Sequence, residues 1–129
     1  MAVAWKDSYS FGDDEVDDLR RKLFSATSRF AARPDVASAR SAIFEFKTYA
    51  STVFALEERI MRETGYRARA VHSGHHDVLS RHTDDLLLSR FKTDAEFVKR
   101  AASVIEMWVF NHFMKEDPKV RPALGGKRP

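Results

Sequence analysis

The sequence predicts an all-α fold: an up-down-up-down antiparallel four-helix bundle with an N-terminal arm. Four stretches of roughly 20–30 residues carry apolar side chains at steps of three and four, which is the spacing of one helix face. The segments between them are short, so we expect consecutive helices to run antiparallel. No alternating strand pattern, glycine-rich phosphate loop or internal repeat competes with this interpretation.

The first half of the chain predicts the arm and two helices. Residues 1–12 form the arm, whose aromatic side chains we expect to pack over the bundle. The first helix covers Asp13–Ala32, because acidic residues favour the first turn of a helix. Asp35 can cap the second helix, Val36–Thr64, and Gly65 suits the position just after its end.

The second half predicts two more helices and a tail. The third helix covers Arg69–Phe91. The fourth begins at Thr93, where Thr93-x-x-Glu96 forms a capping box, and ends near Asp117–Pro118. Residues 119–129 are rich in glycine and proline, which predicts an irregular tail.

Length and composition restrict the class of protein. The 129 residues fit a single domain, 1–129, with a core, and 43% of them are hydrophobic. A net charge of +3, from 22 basic and 19 acidic groups, is too balanced to indicate nucleic-acid binding. The absence of cysteine excludes disulfides and thiolate metal ligands. Without a signal-peptide pattern or an apolar run of membrane-spanning length, we expect a cytoplasmic protein that does not bind membranes.

Histidines and a carboxylate on inward faces predict a metal site. His72 and His76 lie four apart, about 6 Å along one helix, so both imidazoles can reach one ion. Such a pair can be incidental, but His112 also lies on the apolar face of its helix, and so does Glu57. A buried carboxylate without a partner costs several kcal/mol. A metal ion is the partner that this combination predicts.

Asp117 is a fifth candidate ligand, at a position that a regular helix would turn away from the other ligands. It follows His112 by five residues, which in a regular helix is about 140° round the axis. It also precedes Pro118, and a residue before proline is disfavoured in the α conformation. We expect the helix to loosen there and turn Asp117 towards the ion. The resulting nitrogen and oxygen ligands suit iron, with manganese and zinc as alternatives.

A set of short motifs spans almost the whole chain. They are Trp5 and Gly12, Val16-Asp17, Leu23-Phe24, Phe54-x-x-Glu57-Glu58-x-x-Met61, Gly65-Tyr66, His72-x3-His76, and Trp108-x3-His112-x4-Asp117. In kind and order these motifs resemble the hemerythrins, in their bacterial form. The resemblance implies a di-iron centre with five histidines and two bridging carboxylates. One iron takes three histidines, which match His72, His76 and His112, and the bridges match Glu57 and Asp117.

The ligands of the second iron depart from the family pattern. The resemblance places its two histidines at the positions of Arg20 and Val53. Valine cannot ligate a metal, and arginine has five donors and no acceptor. The guanidinium of Arg20 could instead pair with Glu57 or Asp117 and replace part of the lost charge. Alternatively, it could extend to solvent.

These departures lead to a hypothesis of a mononuclear iron site. One iron per chain is held by the five candidate ligands, surrounded by Arg20, Val53 and Tyr49. A position left open would accept O2 or another small ligand such as peroxide, with peroxidase or oxidase activity as an open question. The alternatives are an O2 carrier or sensor whose di-iron centre is completed by other ligands, and a metal-free relic of the family.

Overall fold

The computed structural model describes residues 3–124, which form a bundle of four long helices without a strand. The predicted all-α fold is confirmed. The helices are α1 (Asp14–Ala32), α2 (Val36–Thr64), α3 (Arg69–Leu88), α4 (Asp94–Glu106) with its π-helical continuation (Met107–Glu116), and the short α5 (Arg121–Leu124); 3-10 turns cover Asp7–Tyr9 and Asp117–Lys119. None of the helices in the described part of the chain combines the length and apolarity that a bilayer crossing requires.

Helix α2 is central and runs antiparallel to α3. It packs against α1, α3 and α4. Lys47 forms an ion pair with Asp84, and Glu58, further along α2, accepts a hydrogen bond from Ser73, which lies earlier in α3. The contacts therefore move forward along one helix and backward along the other, as the short connection between them requires.

The predicted helix starts agree closely with the structure. Asp13, Asp35 and Thr93 each accept a hydrogen bond from the backbone N–H three residues on, at 2.8–3.1 Å. Asp13 is thus the cap of α1 rather than its first residue. Gly65 ends α2 in the left-handed conformation, with φ 68°, where glycine carries no steric cost.

The predicted end of the third helix is wrong, and the prediction of an irregular tail is wrong in part. Helix α3 ends at Leu88 and not at Phe91, because Ser89 is extended and both its N–H and its hydroxyl bond to the carbonyl of Asp85. Such side-chain bonding competes with continuation of a helix. Part of the supposedly irregular tail is helical, since α5 places Leu124 in the core; residues 125–129 lie outside the described part.

The N-terminal arm packs along α1 and against α5. The ring of Trp5 meets Phe24 edge-on at 5.3 Å, and Phe11 is fully buried. Gly12 turns the chain into α1 with φ 100°, and a Cβ there would lie 3.0 Å from Leu124 Cδ2. The arm therefore depends on a glycine at this position.

We predict that Gly12→Ala lowers the free energy of unfolding by about 1–3 kcal/mol, because alanine is strained at this φ and crowds α5. Gly74→Ala is the matched control: a Cβ on this exposed helical glycine meets nothing within 4 Å. It should raise stability by about 0.5–1 kcal/mol. Denaturant unfolding measures both changes, and equal effects would contradict the assignment.

Candidate metal centre

Five side chains meet in the interior of the bundle. Glu57 comes from α2, His72 and His76 from α3, His112 from the π-helical segment, and Asp117 follows it. One ligand atom of each lies within 4.8 Å of the others, and every one of these residues is at most 3% exposed. The structure thus brings together the five residues that the sequence singles out as candidate ligands.

A π-helix, rather than the proline, brings Asp117 to the cluster. The N–H of Asp117 bonds to the carbonyl of His112, five residues earlier, so both residues lie on one face. Asp117 itself keeps α-helical angles, φ −61° and ψ −43°. The expected loosening before Pro118 is therefore wrong: the helix is already widened over Met107–Glu116. π-Helical segments are rare in proteins as a whole, but those that occur are often found at functional sites.

The spacing of the ligand atoms suits a single ion. The Nε2 atoms of His72 and His76 lie 3.0 and 2.9 Å from Glu57 Oε1. Those of His72 and His112 each lie 3.0 Å from Asp117 Oδ1. Two ligand atoms about 2.1 Å from one metal and at a right angle are about 3.0 Å apart. The observed distances are therefore those expected between neighbouring ligands of one metal.

Several buried polar atoms of the cluster have no hydrogen bond within residues 3–124. They are Glu57 Oε2, both ring nitrogens of His112 and both carboxylate oxygens of Asp117. His112 Nε2 and the two Asp117 oxygens are in ion pairs that lack hydrogen-bond geometry. Buried polar atoms are nearly always satisfied, and a metal ion would satisfy His112 Nε2 and Asp117 Oδ1 at once. The residues present therefore fit a metal.

Glu58 contacts the second ring nitrogen of one of the imidazoles, that of His76. Its Oε2 lies 3.1 Å from His76 Nδ1, and its Oε1 accepts a hydrogen bond of 2.9 Å from the Ser73 hydroxyl. A proton on Nδ1 leaves the lone pair of Nε2 free for a metal. The sequence reasoning did not assign Glu58 to the site. The available signal was that a ligating histidine needs a partner for its second nitrogen.

Arg20 lies inside the bundle, against the cluster. Its side chain is fully buried, with Nε 3.0 Å from Asp117 Oδ2 and Nη1 3.0 Å from Asp17 Oδ1. Its Nη2 donates to the carbonyls of Tyr9, at 2.8 Å, and Phe113, at 2.6 Å. Extension to solvent, one of the two alternatives, is therefore wrong. Of the two carboxylates considered, the guanidinium contacts Asp117.

Pro118 explains why the Phe113 carbonyl is available to Arg20. In a π-helix this carbonyl would accept from the N–H five residues on, which is the position of Pro118. Proline has no N–H. Arg20 therefore donates to a carbonyl that the helix itself leaves without a donor.

Asp17 is a buried partner of Arg20 that the sequence reasoning missed. It is buried and balances the charge of Arg20, while accepting from the Phe11 N–H at 2.9 Å and from the Ser10 hydroxyl. Asp17 thus ties the arm to the residue that contacts the cluster. Its spacing of three from Arg20 on one helix was the signal for an ion pair.

Comparison with known proteins agrees with this geometry. The profile described as Hemerythrin HHE cation binding domain matches residues 13–124. The chain belongs to the hemerythrin family. The bacteriohemerythrin of Stenotrophomonas maltophilia is 26% identical over 118 residues, covering 89% of this chain and 76% of that protein. That of Clostridium acetobutylicum is 23% identical, covering 88% and 94%. No solved structure matches significantly.

The remaining two predicted neighbours differ in their relation to this hemerythrin cluster. Val53 is fully buried one turn before Glu57, as expected for a core residue beside the site. The ring of Tyr49 lies 5.5 Å from the Lys22 ammonium and makes no hydrogen bond or ring contact with the cluster in the described part of the chain. The residue faces the α1 side, and its predicted place beside the metal has no contact to support it.

Without a metal, the cluster is held by charge. Burial lowers the pKa of His72 and of His112, but the carboxylates of Asp117 and Glu57 outweigh it and raise these values to about 8 and about 10. Burial raises the pKa of Glu57, but the imidazoles of His112, His72 and His76 around its carboxylate bring the pKa well below the usual value. The metal-free site therefore contains protonated imidazoles beside ionised carboxylates.

We predict that metal affinity depends on Glu58. Glu58→Ala removes the partner of His76 Nδ1, which should weaken binding about 10–100-fold. Glu63→Ala is the control, since Glu63 is exposed and pairs with Arg59, at 3.8 Å. Competition with a chromophoric chelator measures the change. Equal affinities of the two variants would show that Glu58 does not support the site.

The metal-free protein should lose stability as pH rises. The pKa values of His72 and His112 are higher in the folded state than the usual 6.5, so their contribution is complete below about pH 6.5 and declines as pH passes about 8 and then about 10. Denaturant unfolding in chelator at pH 6, 8 and 10 measures it. His112→Gln should flatten the decline, whereas substitution of the exposed His82 by Gln should not.

Proposed function

We propose that this hemerythrin domain binds one iron ion and reacts there with O2 or peroxide. The observation that carries the proposal is the position of Arg20. In a centre with two metals, both oxygens of a bridging carboxylate bind metal. In this chain, Asp117 directs Oδ1 to the histidines, and its Oδ2 lies 3.0 Å from Arg20 Nε. The guanidinium thus holds the oxygen that a second metal would need.

The net charge of the cluster also favours a single bound ion. With neutral imidazoles, the two carboxylates give the cluster two negative charges, which one divalent ion neutralises. Arg20 is already balanced by Asp17. A second cation would come close to the buried guanidinium, where repulsion in a low dielectric is strong.

Five protein ligands leave one position of a six-coordinate ion for a small molecule. Bound iron would supply the redox chemistry with O2 or peroxide. Glu57 Oε2 is a buried acceptor without a hydrogen bond within residues 3–124, so it would be able to hold a proton beside the open position. Glu57 is fully buried, so bulk water does not reach this oxygen.

The same unpartnered oxygen favours the second candidate, a carrier or sensor with a di-iron centre completed by other ligands. Glu57 Oε2 is the one bridging-type oxygen without a cation beside it, in the described part of the chain. A second ion there would lack the two histidines that Val53 and Arg20 replace. We therefore rank it after the single-ion site.

Metal stoichiometry tests the proposal. The protein purified without added iron and then titrated should saturate at about one ion per chain. The variant Arg20→His/Val53→His restores ligands at both altered positions and should take a second iron, with the absorption bands of an oxo bridge. Lys22→His/Ser51→His, at exposed positions of the same two helices, is the control and should remain at one.

Two results would count against this function. Two tightly bound irons with oxo-bridge bands in the unaltered protein would favour the di-iron alternative. A melting temperature that does not change with chelator or added iron would favour the metal-free relic, since a ligand of the native state must stabilise it.

A further inference from the structure

Three aromatic rings form a continuous stack that begins at a candidate ligand. The ring of Phe54 lies 3.8 Å from that of His76, with 9° between the planes. The indole of Trp108 follows, with its ring centre 5.0 Å from that of Phe54 and its plane 6° from parallel. The stack therefore joins the metal centre to an oxidisable side chain through one intervening ring.

The surroundings of Trp108 suit the loss of an electron. Indole and phenol are the most easily oxidised of the ring side chains, and Trp108 is fully buried. Its Nε1–H donates to the Thr83 hydroxyl at 3.0 Å, which itself donates to the Leu79 carbonyl. No stronger base contacts the indole nitrogen in the described part of the chain. An electron can thus leave while the N–H proton stays in place.

The second tryptophan has the opposite electrostatic environment. The guanidinium carbons of Arg20 and Arg21 lie 5.2 and 4.7 Å from the Trp5 ring centre. Two cations disfavour a positive charge on this indole. Its ring path to the cluster is also longer, since it passes through Phe24 and Phe113 before it reaches His112.

We propose that Trp108 is an electron donor to the metal centre when the oxidant is hydrogen peroxide. This inference rests on the proposed iron site. The O–O bond of peroxide breaks and takes up two electrons and two protons to form two water molecules. The bound iron(II) supplies one electron and becomes iron(III), Trp108 supplies the other through Phe54 and becomes a radical cation, and solvent supplies both protons.

A surface cavity brings small reductants close to the same indole. It has a volume of about 150 Å³ between α2 and α3, and Trp108 and Thr83 form part of its wall. Lys47 and Asp84, which pair with each other, lie at the same cavity. Although the indole is fully buried, a small one-electron donor such as ascorbate in this cavity lies close enough to return an electron to it through the cavity wall.

The test is to locate the oxidation. Iron content is measured first, so that failure to bind iron, which would reject the proposed function, is separate from failure of electron transfer. The iron(II)-loaded protein then receives one equivalent of peroxide. Electron paramagnetic resonance of frozen samples detects the radical, and peptide mass spectrometry locates added oxygen. We expect several-fold more oxidation at Trp108 than at Trp5. Oxidation of Trp108 should be several-fold lower with ascorbate than without it.

Variants separate transfer through the stack from diffusing oxidants. Phe54→Leu should lower Trp108 oxidation several-fold at unchanged iron content, and zinc-loaded protein should show none. Trp108→Phe, which keeps a ring in the core, should remove the tryptophan radical signal and covers the case in which Phe54→Leu fails to fold. Oxidation of Trp5 equal to that of Trp108, or a radical signal unchanged in Trp108→Phe, would overturn the inference.

Discussion

The buried ion pair between Arg20 and Asp117 is the interaction on which the rest of the structure depends. The guanidinium also bonds to Asp17, to the Phe113 carbonyl and to the Tyr9 carbonyl. One side chain thus connects a candidate ligand, the π-helix, α1 and the arm. Removing one partner of a buried pair costs about 3–5 kcal/mol, because the other charge is left unpaired. The metal centre and the arm are therefore parts of one network.

The π-helix is the structural condition for this pair. A regular helix would separate His112 and Asp117 by about 140°, and the wider one places both on the inward face. The carbonyl that this arrangement leaves without a donor, that of Phe113, is satisfied from α1 by Arg20. Local helix geometry and a contact distant in sequence therefore stabilise each other.

The ligand histidines differ in the contacts that orient their rings. His76 is held by Glu58 on one edge and by the stacked Phe54 ring on its face. His112, by contrast, has no hydrogen bond to its Nδ1 within residues 3–124. His76 is thus more firmly oriented than His112, and it is the imidazole that leads to Trp108. Hydrogen bonding and ring packing together distinguish two histidines that the sequence presents as equivalent.

The sequence by itself determined the helices, their caps and the inward faces that carry Glu57, His72, His76 and His112. These features follow from the period of the helix and from capping groups, which act within a few residues. Only the tertiary structure decided the partner of Arg20, the π-helical route of Asp117 and the role of Glu58. The physical reason is that a long side chain can reach several directions, and the hydrogen-bond register of a helix can shift when a neighbouring helix satisfies the carbonyl that it leaves free.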